Sequence, residues 1–225
     1  MTDASAVFRR LGTMGWLALA GSPPTLNQSG AQIAERLLEV ADLSRPPVLL
    51  SPEDHTSSEL GAFLEDLEIL LGVEIQVIDP LGLNDEELQS LWLNAGVMIM
   101  AGGTQDAWFE LITTRLFKIK PQEILAEGTI LFTFGVPAGL MGAWMLNPQL
   151  GELDNGLGWI MGGVVLPTNR DPAEIAAVRN HLEVHEGGFA LGLPDGALLA
   201  FGPGEQVEVW TEKAPVLLLG RGWQE

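Results

Sequence analysis

Short apolar runs alternate with stretches of helical periodicity along most of this chain. WLALAG at 16–21 is unbroken by polar residues, as expected of a strand buried on both faces. A helix is predicted over about 29–41, apolar at Ile33, Leu37, Leu38 and Val40. The strand PPVLLS then precedes TSSELGAFLEDLEILLG, a helix opened by Thr56 and Glu59 as a capping pair and closed by Gly72. VEIQVID, a short acidic helix after Asn84, the strand GVMIMAGG at 96–103 and a helix over 106–117 continue the alternation. GTILFTFG is the next strand. A sharp turn follows it, then an apolar helix of about eight residues ending near Asn147 and Pro148.

Continuous apolar strands separated by helices predict a mostly parallel sheet covered on both faces and linked by right-handed crossovers. After Gly163 the texture changes. GGVVLPTNRDP runs from a strand into a loop, where Asp171 and Pro172 offer an N-cap and a first-turn proline for a helix to about His185. GFALGLP, GALLAFG, VEVWTE and PVLLLG are short and spaced by Gly, Pro and Asp, which predicts an antiparallel extension of the same sheet. The expected fold class is α/β: a three-layer α/β/α sandwich with a mainly parallel central sheet and an antiparallel C-terminal extension. No repeat or linker-like tract divides residues 1–225, which read as a single domain.

Composition narrows the function. At 225 residues and 47% hydrophobic the chain can bury a large core, and no apolar run is long enough to predict a membrane span. The absence of cysteine excludes disulfides, a thiolate nucleophile and Cys-based metal sites, and suits a cytoplasmic location. A net charge of −19 opposes binding to nucleic acid or to an anionic membrane. FRRLGTMGWLALAGSPP carries paired arginines, an apolar run and Ala18-Leu19-Ala20, features of an export signal. Two glycines interrupt that run, and it reads as a buried first strand.

Open α/β sheets bind ligands beyond the carboxyl ends of their strands. MAGGTQ and FGVPAG are two glycine-rich ends of this kind. Gly102 and Gly103 offer backbone amides to an oxyanion, and Gln105 a polar contact to a ligand; a tight turn that needs glycine explains the pair equally well. TFGVPAGLMGAW has the strand–turn–helix outline of a nucleophile elbow, with Pro137 where Ser or Cys would stand. Thr133 reads as a structural hydroxyl on its strand. His181 and His185 have the i, i+4 spacing of a metal pair, but they equally complement a helix C-terminus, and neither a metal nor a cofactor is expected. Trp108, Trp144 and Trp159 fall near these elements, as core residues or as the lining of a filled-in cleft.

Taken together, AGGTQ, GVPAGLM and NGLGWIMGGVVLP resemble, in order and spacing over about residues 16–210, the peptidase E and cyanophycinase family. Its members are serine hydrolases on a class I glutamine amidotransferase-like (flavodoxin-like) fold. The resemblance implies a nucleophilic serine at the place of Pro137, a histidine base at that of Thr168, an oxyanion donor in the Ala138 N–H, and an acidic partner, for which Glu152 and Asp154 are candidates. Nucleophile and base are thus both absent at their matched positions. Proline also fixes φ near about −65° where an elbow demands a strained residue, so the turn has to relax or reroute. The expectation is a non-catalytic homologue, a pseudoenzyme kept to bind a small polar ligand or peptide or for a structural role such as a homodimer. The alternative is an active hydrolase of acidic or isopeptide-type substrates with a relocated nucleophile or base, drawn from Thr168, His55, Glu152 and Asp154.

Overall fold

The computed structural model describes residues 9–10, 15–24, 31–52, 58–114, 125 and 128–223. Thirteen strands among them, β1 (Arg9–Arg10) to β13 (Val216–Leu219), divide between two sheets. In the larger sheet β2 (Trp16–Ala20), β3 (Pro47–Leu50), β4 (Gln76–Ile78), β5 (Val97–Met100) and β6 (Ile130–Phe134) run parallel. β11 (Leu198–Phe201) and β12 (Val207–Val209) add to it antiparallel, giving the order β12-β11-β2-β6-β5-β3-β4.

The unbroken apolar strands are explained by what covers them. In β2, Leu17 and Leu19 enter one cluster while Trp16, Ala18 and Ala20 enter another, so alternate side chains are buried on opposite faces. α1 (Ala31–Val40) and α2 (Ser58–Leu71) seal the second cluster through Ile33, Leu37, Leu60, Phe63 and Leu67. α3 (Asp85–Asn94) and α4 (Gln105–Thr114) seal the first through Leu88, Trp92, Trp108 and Leu111. Each fully buried side chain of this size stabilises the fold by about 1.5–3 kcal/mol relative to exposure. Local signals set the ends. Asn84 Oδ1 accepts from Glu87 N at 3.0 Å while Glu87 Oε2 accepts from Asn84 N at 2.8 Å, a reciprocal cap on α3. Gly72 closes α2 as expected, whereas the Thr56 cap lies outside the described residues.

The second sheet departs from the expectation of one sheet with an antiparallel extension. β7 (Gly142–Asn147), β9 (Ile160–Leu166) and β10 (Phe189–Gly192) run parallel, flanked by β8 (Glu152–Asn155) and β13 antiparallel, in the order β13-β10-β9-β7-β8, with β1 against β9. The late strands therefore separate: β11 and β12 extend the first sheet, and β10 and β13 build the second. Met145, Ile160, Val165 and Phe189 turn inward to join the cluster beneath the first sheet. Val164, Leu166 and Ala190 face outward, under Val178 and Leu182 of α6 (Ala176–Val184). The layering is thus helices, sheet, helices with a second sheet, and helix, one layer more than a simple three-layer sandwich at that end.

Two local expectations are also corrected. LMGAWM is not a helix: α5 (Val136–Leu140) stops after five residues and the chain enters β7. Gly142 sets this, because a Cβ there would lie 2.6 Å from Trp144 O and 2.9 Å from Gly163 O, inside the β7–β9 pairing. Asp171 caps a 3₁₀ turn, Pro172–Glu174, accepting from Ala173 N at 2.8 Å; α6 begins later, behind Ile175, with no side-chain cap. Trp16–Ala20 is a central, buried strand. No helix among the described residues is long and apolar enough to cross a membrane.

Candidate functional site

β6 delivers the chain from the sheet interior to a turn at Gly135, whose N–H donates to Ala20 O at 3.1 Å. Gly135 has φ 63° and ψ −124° and stands as the N-cap of α5. This is a left-handed conformation that glycine enters freely and other residues only under strain. Pro137 is buried at the second helical position of α5, where its missing N–H is no loss. The strained residue of the strand-to-helix turn is therefore Gly135, two residues before the position assigned to it from the sequence. The place from which a side chain would project carries only hydrogen. A Cβ at Gly135 would meet nothing closer than Gly21 O at 3.7 Å, so the space beside it is open.

That space belongs to a cavity of about 600 Å³ at the carboxyl ends of β6, β7 and β9, bordered by the starts of α4, α5 and α6. Val136, Met145, Leu146, Val165 and Ile175 make most of it apolar. Its polar side chains are Gln105, Asn147, Thr168 and Arg170. No histidine, aspartate or glutamate among the described residues lines it.

Of the residues singled out from the sequence, Gln105 and Thr168 come together on this wall, with Gly135 and Val136 beside the Pro137 turn. Among the described residues Gln105 Nε2 reaches only the Met145 sulfur, at 3.9 Å. Thr168 Oγ1 accepts from Arg170 N at 3.2 Å, a local turn contact. Gly102 and Gly103 stand off the wall. They form a left-handed turn with φ 69° and 73°, fixed by Trp108 Nε1 donating to Gly102 O at 2.7 Å. A Cβ at Gly103 would lie 2.4 Å from Pro52 Cγ, so close packing and a tight turn account for the glycines. Ala138 is buried within α5 and does not line the cavity.

Glu152 and Asp154 lie on β8, which hairpins back along β7 and carries both off the cavity wall. Glu152 is exposed, and Asp154 accepts from Asn147 Nδ2 at 3.0 Å. His55 falls outside the described residues. Thr133 Oγ1 donates to Ala18 O at 3.3 Å inside the sheet, a structural hydroxyl. Trp92, Trp108, Trp159 and Trp210 are core, and Trp144 packs on the far side of the second sheet against His181 and His185. Those two histidines gain no third ligand: no group of three or more His, Asp or Glu that could hold a metal occurs among the described residues.

Arg170 and the apolar wall were missed in the sequence. The available signal was slight: a lone cation just past a strand end in a strongly acidic chain.

No protein-family model and no curated protein matches this chain. Solved structures similar to it include a peptidase from an acI-B1 Actinobacterium, 20% identical, with a TM-score of 0.61 over 92% of this chain and 95% of that one. Another is a protein assigned to peptidase E from Listeria monocytogenes EGD-e, 12% identical, with a TM-score of 0.61 over 89% of this chain and all of that one. The chain has the α/β fold of these peptidases.

Proposed function

We propose that this chain is a catalytically silent relative of the peptidase E and cyanophycinase hydrolases, keeping the cavity beside the elbow to bind a small ligand. The observation that carries this reading is the conformation of Gly135. In a serine hydrolase of this layout the strained residue between strand and helix presents the nucleophile to the pocket. Here that residue has no side chain, and Pro137 beside it is buried in the helix. Among the described residues the wall offers no base either, since none that lines it is a histidine or carboxylate. Thr168, the one hydroxyl among the described lining residues, has no described group there to take its proton. Because triad members act as a unit, loss of one forfeits most of the rate, and later losses change little. A cytoplasmic location accords with the lack of cysteine.

The test is a fluorophosphonate labelling of the purified chain alongside hydrolysis assays on acidic dipeptides and cyanophycin-like polymer. Neither adduct nor product is expected, while a small-metabolite panel should contain compounds that raise the melting temperature, because a ligand preferring the native state stabilises it. A covalent adduct, or hydrolysis abolished by substituting a cavity residue, would overturn the reading.

A further inference from the structure

The cavity wall is chemically lopsided: among its described residues a mostly apolar surface carries one charged group, Arg170. The chain has 11 Lys and Arg against 30 Asp and Glu, so a cation near the surface should readily find a carboxylate. Arg36 does so with Glu39 and Glu208, and Arg45 with Asp42. Arg170 has no ion pair among the described residues. Asp171 Oδ1 accepts from Ala173 N at 2.8 Å, and Asp195 accepts from the side-chain amide of Asn169. An exposed guanidinium at a cavity mouth thus keeps a planar fork of donors suited to a carboxylate.

The other polar groups narrow the class. Asn147 is committed to its own turn and to Asp154. Gln105 and Thr168 leave few donors for a sugar or a nucleobase. A dianion would meet a single cation within a molecule of net charge −19. What fits is one negative charge on a largely apolar body.

We propose that the cavity binds a small monocarboxylate with an apolar body, the chemistry shared by medium-chain fatty acids and N-acylated apolar amino acids. Its carboxylate pairs with Arg170, and its body lies along Val136, Met145, Leu146 and Ile175. This deepens the binding role proposed above and rests on it. Cavities of this size hold such molecules, and a charge-assisted contact orients them while apolar burial supplies most of the affinity.

The experiment measures binding to the whole chain by calorimetry, with octanoate, N-acetylphenylalanine and the uncharged octanamide as probes. Either carboxylate should bind at least about tenfold more tightly than octanamide, the scale expected of a hydrogen bond to a charged group. The tighter of the two tells the fatty acid from the acylated amino acid. Arg170→Gln should bring the carboxylates down to the octanamide level without altering the melting temperature, since the side chain is exposed. Ala177→Phe, on the cavity wall, should remove binding of all three. Equal affinity for octanoate and octanamide, unchanged affinity in Arg170→Gln, or no binding by any probe each overturns the proposal. These failures are separate from that of the catalytic reading, which falls only on a fluorophosphonate adduct or turnover.

Discussion

Trp144 packs edge-on against His181 with ring centroids 4.1 Å apart, and His181 lies 4.0 Å from His185, the C-cap of α6. His181 Nε2 is buried there without a hydrogen-bond partner among the described residues. Burial, and secondly the charge of His185, hold the His181 imidazole below its ordinary pKa of 6.5. The folded chain thus prefers the neutral ring more strongly than the unfolded chain does. Its contribution to stability is whole above the unfolded value and is lost as pH falls from about 6.5 through the folded pKa. The urea midpoint should fall over that window in the wild type, and the fall should be shallower in His181→Leu. Parallel curves for the two proteins would place the acid sensitivity elsewhere.

Arg36 of α1 grips Glu208 of β12 with two bonds, Nε to Oε2 at 2.9 Å and Nη2 to Oε1 at 2.5 Å. Trp210 Nε1 donates to the same carboxylate at 2.8 Å, and the guanidinium sits 5.3 Å from the Trp16 ring centre. The pair joins a helix to an edge strand 172 residues away. Its side chains are still 30% and 31% exposed, so water and salt weaken it. A double-mutant cycle of Arg36→Met and Glu208→Gln should give a coupling of roughly 1 kcal/mol, smaller at 1 M salt. A coupling indistinguishable from zero at low salt would reduce the pair to a geometric coincidence.

Serine installed at the elbow should behave differently at its two sites. At Gly135 a side chain has room but must hold a positive φ, so Gly135→Ser should cost about 1–3 kcal/mol in denaturant titration. Pro137→Ser leaves a hydroxyl buried inside α5. Neither variant should gain peptidase activity or a fluorophosphonate adduct, because no described residue on the wall can act as base. Turnover by Gly135→Ser would reveal a proton acceptor serving the cavity.

How much of this was legible depends on which interactions decide each element. β2 to β6 and the helices between them were readable because burial on both faces leaves an unbroken apolar run, and because Asn84 and Gly72 mark helix ends chemically. LMGAWM was not, since a short apolar run suits strand and helix alike; the choice was made by Gly142 packing onto the backbone of β9. The split of the last strands between two sheets was equally hidden, because alternation says that a strand is half-buried and not which neighbour it pairs with. At the site, the motif order placed Gln105 and Thr168 on one wall, but the strained position shifted from Pro137 to Gly135. Dihedral angles at a turn are set by both flanking elements, and spacing alone could not locate them. Arg170 emerged only when the fold set it on the cavity wall with no ion pair among the described residues.

Leu17 and Leu19 of β2 share one apolar cluster with Met145 and Val165, which belong to the other sheet. Pulling the sheets apart would wet both sides of that contact at once, so neither half offers a refuge in which the rest could melt first. Heating should therefore give one cooperative transition, and limited proteolysis should release no stable fragment made of one sheet alone.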